Sequence, residues 1–223
     1  MNNQEIFSYI DHTALSPVAT WKDIENAAKE AQYFKTASLC IAPCFVARVR
    51  EAFPNLNICT VGGFPLGYSP KEIKLKEARL YIEHGANELD FVINITDAKN
   101  GDFDKITQEL SELKKICGSR ILKIIIETCY LNEQEKISLC DCVTKSGADF
   151  IKTSTGFGTA GATIADIKLF SANIGNNVKI KAAGGMRSRE DFIAFVKEGA
   201  SRLGTSGAIK ALTNGEKSEK DSY

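Results

Sequence analysis

The segment SGADFIK, residues 146–152, decides how the chain folds. It reads as the end of a helix, a Gly-Ala turn, one polar residue and a short β-prone run. The same junction recurs in HGANELDF (84–91) and EGASRLG (198–204). Gly85, Gly147 and Gly199 fit the position just past a helix, where a left-handed backbone stops it. Helical stripes recur too: Ile24, Ala27, Ala28 and Ala31, then Ile106, Leu110, Leu113 and Cys117, then Phe192, Phe195, Val196 and Gly199. Three copies of one helix-to-strand junction imply an α/β repeat.

Working outward, β-prone runs lie between the helical segments: YIDHTAL (9–15), ASLCIA (37–42), ICTVGGF (58–64) and ELDFVI (88–93). ILKIIIET (121–128), DFIKT (149–153), VKIKAA (178–183) and SRLGT (201–205) complete a set of eight. Strands alternating with helices build a parallel sheet, and eight such units close most simply into a single-domain (β/α)8 TIM barrel over residues 1–214. An open doubly wound sheet is the rival, but no GxGxxG follows the first strand. The end GEKSEKDSY (215–223) is polar and without apolar period, so its composition reads as a flexible tail.

Composition narrows the function classes. The chain has 223 residues, is 43% hydrophobic and carries a formal net charge of +0. No global field recruits nucleic acid or an anionic membrane. The longest apolar runs are strand-length, against the roughly 20 residues that span a bilayer. The opening MNNQEIFSYI lacks the basic and apolar blocks of a signal peptide. Seven cysteines are an odd number in a chain of this size, which favours reduced thiols and a cytoplasmic location. With only His12 and His84 as imidazoles, a metal site is weakly supported.

The polar residues of the strands carry the chemistry. Asp11, Asp90, Glu127, Lys152 and Lys181 lie in or at the ends of predicted strands, where barrels of this class place active sites. IKTSTG and IKAAGG resemble each other, each placing a lysine before small residues and glycine. One such lysine can snorkel to the rim. Two on neighbouring strands are different. A second ammonium roughly 4 Å away costs about 4 kcal/mol at an effective dielectric near 20, and that favours a neutral amine able to attack a carbonyl. The pair therefore reads as a nucleophile and the neighbour that tunes it, in either order. Asp90, with apolar residues on both sides, reads as an ion-pair partner, a role compatible with proton transfer. Gly184-Gly185 and GTSG (204–207) follow strands seven and eight, the usual phosphate site of the fold, and Arg187 adds a charged fork. Turn glycines are the alternative.

Over nearly its whole length the sequence resembles the class I 2-deoxyribose-5-phosphate aldolases. The matching stretches are IDHTAL (10–15), LCIAP (39–43), VGGFPLG (61–67), ELDFVI (88–93), LKIIIET (122–128), FIKTSTGFG (150–158), KAAGGMR (181–187) and LGTSG (203–207). The resemblance implies reversible cleavage of 2-deoxy-D-ribose 5-phosphate to acetaldehyde and glyceraldehyde 3-phosphate, without metal or organic cofactor, in a homodimeric barrel. It implies Lys152 as Schiff-base nucleophile, Lys181 as its tuning neighbour and Asp90 as proton-transfer partner. It places Gly156, Gly184, Gly185, Gly204, Ser206 and Gly207 in the phosphate cradle, and it gives Tyr223 a role in moving the proton at the acetaldehyde methyl carbon. Some relatives carry a lysine where this chain has Phe157, and Ser-Ser where it has Ser206-Gly207, so phosphate binding is expected to rest more on backbone amides. Another Schiff-base sugar-phosphate barrel and a silent sugar-phosphate-binding barrel are the competing readings.

Overall fold

A computed structural model describes residues 1–213. Its eight strands are β1 (Ile10–Ala14), β2 (Ser38–Ile41), β3 (Ile58–Gly62), β4 (Glu88–Val92), β5 (Ile121–Ile125), β6 (Phe150–Lys152), β7 (Lys179–Ala183) and β8 (Ala200–Thr205). All neighbours pair in parallel, and β8 pairs back onto β1, so the sheet closes into the expected barrel. A short helix, α1 (Asn3–Phe7), precedes β1. The other helices are α2 (Trp21–Phe34), α3 (Val46–Ala52), α4 (Lys71–Glu83), α5 (Ile95–Asn100), α6 (Phe103–Cys117), α7 (Glu133–Ser146), α8 (Ile164–Asn173), α9 (Arg189–Lys197) and α10 (Ala208–Thr213). None is long and apolar enough to cross a membrane.

Local chemistry sets the boundaries. Thr20 with Asp23, Asn132 with Glu135 and Ser188 with Asp191 form reciprocal capping boxes that start α2, α7 and α9. Gly85, Gly147 and Gly199 take φ values of 98°, 75° and 112°, as the repeated junction requires. Seven of the strands are shorter than their β-prone runs, DFIKT contributing only Phe150–Lys152, whereas β8 begins one residue before its run, at Ala200.

Strand alternation sorts the residues. Leu39, Ile58, Leu89, Phe91, Leu122, Ile124, Ile151, Ile180 and Leu203 join the buried helix faces in one apolar core. The alternate residues include Asp11, Cys59, Glu88, Asp90, Lys123, Lys152, Lys181 and Arg202, and they meet one another across the lumen. Barrel interiors of this class are normally filled by branched apolar side chains. Here the apolar core lies outside the sheet, and ion pairs occupy much of the lumen.

Candidate active site

Register builds the site. Lys152 and Lys181 are Cα partners between β6 and β7, Lys181 faces Arg202 on β8, and Asp90 faces Lys123 between β4 and β5. Asp90 lies at the centre. Its Oδ2 accepts from Lys152 Nζ and from Lys181 Nζ, each at 2.7 Å, and its Oδ1 accepts from Lys123 Nζ at 3.0 Å and from the Cys59 thiol at 3.1 Å. Lys181 also contacts Asp11, which accepts from Ser38 Oγ at 2.7 Å and from Arg202 at 2.6 Å. Glu88 closes the lower end against Lys123 and against Arg202 at 3.1 Å. Three carboxylates (Asp11, Glu88, Asp90) therefore meet four cations (Lys123, Lys152, Lys181, Arg202), and the cluster carries one positive charge in excess.

Burial and pairing pull in opposite directions on each group. Burial alone would raise Asp90 and Asp11, yet the surrounding ammonium groups hold both carboxyls below the ordinary carboxylate range. Burial alone would strip protons from Lys123 and Lys181. Asp90 acts on Lys123, and Asp11 and Asp90 act on Lys181, to keep both amines charged well above the usual lysine value. Lys181 is thus a fixed positive charge. The repulsion expected between two bare lysines is met by a carboxylate oxygen that both share.

Above the cluster is a cavity of about 690 Å³, at the C-terminal ends of the strands. All seven residues expected to bind substrate line it: Gly156, Gly184, Gly185, Arg187, Gly204, Ser206 and Gly207. Of the four lumen cations, Lys152 alone lines this cavity; Lys123 and Lys181 are fully buried. Gly184 and Gly185 have φ of 74° and 81°. A Cβ on Gly161 would come within 2.6 Å of Gly185 N, so glycine there lets the β6–α8 loop approach the β7–α9 loop. Not every cradle amide is available. Gly207 N–H donates to Thr205 Oγ1 at 3.0 Å, and Gly184 N–H to Gly204 O at 3.4 Å.

Two expectations change in detail. Glu127 lies beyond the end of β5 and does not join the charged cluster. Its carboxylate accepts from the Thr155 N–H at 3.1 Å and from the Thr155 hydroxyl, with Glu127 in the left-handed region at φ 55°. It braces the loop that carries Gly156. Asp11 lies low in the lumen, because it is the second residue of β1 and meets Arg202 there. Lys123, Glu88 and Arg202 escape the sequence reading, although a lysine inside LKIII is the same signal that flags Lys152. Thr13, Ser16, Thr205 and Lys210 also line the cavity without having been singled out. Tyr223 lies outside the described residues.

Fold and site together define a class, the (β/α)8-barrel lyases in which lysines and carboxylates gather beneath the C-terminal mouth. Within that class the chain belongs to the DeoC/LacD family of aldolases, whose family model matches residues 6–213. It is 55% identical over 220 residues to a deoxyribose-phosphate aldolase of Clostridium botulinum, covering 98% of this chain and 99% of that one. It is 49% identical over 224 residues to a deoxyribose-phosphate aldolase of Streptococcus pyogenes, covering all of both chains. The solved deoxyribose phosphate aldolase of Aeropyrum pernix, described as tetrameric, superposes with a TM-score of 0.90 at 31% identity, covering 97% of this chain and 93% of that chain.

Proposed function

We propose that the chain is a Schiff-base aldolase that reversibly cleaves 2-deoxy-D-ribose 5-phosphate to D-glyceraldehyde 3-phosphate and acetaldehyde. The observation that carries this reading is the position of Lys152. Among the described residues it is the one lumen amine on the cavity, and it belongs to a cluster with one surplus positive charge. Loss of one proton leaves three cations against three carboxylates, so a neutral Lys152 amine is compatible with a balanced interior.

That amine attacks C1 of the open-chain sugar and forms a carbinolamine, which loses water to give an iminium. Breaking C2–C3 sends its electron pair into the iminium, forming an enamine, while the C3 hydroxyl gives up its proton and departs as the aldehyde of glyceraldehyde 3-phosphate. Protonation of the enamine carbon and hydrolysis release acetaldehyde and restore the amine. Asp90, 2.7 Å from Lys152 Nζ, relays the amine proton out of the cluster and back without keeping it. Lys181, held charged by Asp11 and Asp90, keeps Asp90 ionised and oriented. The glycine loops and Arg187 receive the phosphate. Tyr223 is assigned the proton at the acetaldehyde methyl carbon, on the family resemblance alone.

No step of this sequence calls on a metal or organic cofactor. Assembly as a homodimer rests on the family resemblance and is testable by light scattering. The seven free thiols support a reducing, cytoplasmic compartment. Incubation with 2-deoxyribose 5-phosphate and detection of both aldehydes tests the activity. A protein that binds the sugar phosphate without releasing either aldehyde would be a silent binding barrel.

A further inference from the structure

We propose that Lys210 is a phosphate contact that sets the preference of this site for phosphorylated substrates. The inference deepens the aldolase reading above and rests on it. A phosphate monoester carries about −1.5 to −2 charges at pH 7. The cavity is built to receive a net anion, because no carboxylate lines it among the described residues.

Three cations line the cavity: Lys152, Arg187 and Lys210. Lys152 is committed to the carbonyl end of the substrate and to Asp90. Arg187 therefore supplies one full charge to the phosphate end, and a dianion needs a second. Backbone amides contribute only partial charge, and those of Gly184 and Gly207 are already engaged within the protein. Lys210 supplies the second charge. It lies on α10, three residues beyond Gly207, and its side chain reaches the same cavity as the β7–α9 and β8–α10 loops.

Lys210 differs from the lysines that are tied into ion pairs with other segments. Lys71, Lys99, Lys105, Lys114 and Lys136 each make a salt bridge at 2.9 Å or less to a carboxylate on a neighbouring element. Among the described residues Lys210 makes none, so its ammonium reaches a substrate anion without first breaking an ion pair. A charged donor to a phosphate oxygen is one of the stronger hydrogen bonds a site can make.

The test uses the full chain and the variants Lys210→Met and Lys210→Arg. Calorimetry with inorganic phosphate reads the contact on the resting enzyme, independently of any turnover. Steady-state assays with 2-deoxyribose 5-phosphate and with free 2-deoxyribose read the preference. Lys210→Met is expected to weaken phosphate binding about tenfold and to lower the ratio of kcat/KM for the phosphorylated sugar over the free sugar by about the same factor, with Lys210→Arg restoring most of both. Unchanged phosphate affinity in Lys210→Met overturns the inference, as does an equal loss on both sugars. An enzyme that binds phosphate through Lys210 yet cleaves neither sugar would contradict the aldolase reading and leave this contact standing.

Discussion

Lys152 and Lys181 are register partners on adjacent strands, and both donate to the same oxygen of Asp90 at 2.7 Å. One carboxylate thus joins an amine on the cavity to an amine sealed beneath it. The first faces the cavity, and the second is a fixed charge.

Replacing Lys181 by Leu removes that charge. The cluster then holds three cations against three carboxylates with Lys152 protonated, so no surplus proton remains to be lost. Activity is expected to appear at higher pH than in wild type, with kcat about 10²-fold lower at neutrality. Breaking a buried ion pair from one side also costs about 3–5 kcal/mol of stability. Lys179 lies two residues earlier, exposed at the other end of β7, with its ammonium 5.9 Å from the Phe150 ring centroid. Lys179→Leu is expected to leave the pH–rate profile in place. The reverse pattern between these two variants would move the tuning role from Lys181 to Lys179.

Asp90→Asn keeps the shape of the residue and removes its charge. Proton transfer is expected to slow by about 10²-fold, with the imine still forming and still trappable by borohydride. Normal turnover in this variant would reduce Asp90 to an ion-pair partner.

Stability should depend on pH through the same cluster. Asp11 and Asp90 are held below their unfolded value of about 3.9, so their contribution is present above that pH and is lost as pH falls through the lowered folded values. Lys123 and Lys181 are held above their unfolded value of about 10.4, so their contribution is full below it and is lost as pH rises through the raised folded values. Urea denaturation should show a plateau between about pH 5 and 10. Asp11→Asn should be about 3–5 kcal/mol less stable than wild type at pH 7, with the gap narrowing as the medium is acidified. A gap that stays constant to pH 2 contradicts the assignment.

Tyr223→Phe is expected to lower the aldol rate while leaving borohydride trapping unchanged, because imine formation precedes the proton transfer given to the phenol. Equal aldol rates in the two proteins would remove Tyr223 from the mechanism.

Much of this architecture was legible because helix punctuation is local. Gly85, Gly147 and Gly199 mark their helix ends through backbone conformations that few other residues adopt, and the eight strands followed from the β-prone runs between the helical segments. Lys152, Lys181 and Asp90 were legible for a related reason, since a charge inside an apolar strand needs a partner. The extent of the cluster was not. Arg202 sits in SRLGT, which reads as an ordinary strand end, and only register brings it beside Asp11 and Glu88. Lys123 carries the same local signal as Lys152, but only closure of the barrel shows that both reach one carboxylate. Glu127 misled because a carboxylate at a strand end looks catalytic, whereas its oxygens are spent on Thr155.

The central claim is that Lys152 is the amine that attacks the carbonyl. Incubation with acetaldehyde and borohydride, followed by peptide mass spectrometry, tests it most directly. The account predicts an N-ethyl group on the peptide containing Lys152, and neither adduct nor turnover in a soluble, folded Lys152→Arg, since arginine keeps the charge but cannot present a neutral amine. An adduct on Lys181 or Lys123, or a Lys152→Arg enzyme that retains about a tenth of wild-type cleavage, would contradict it.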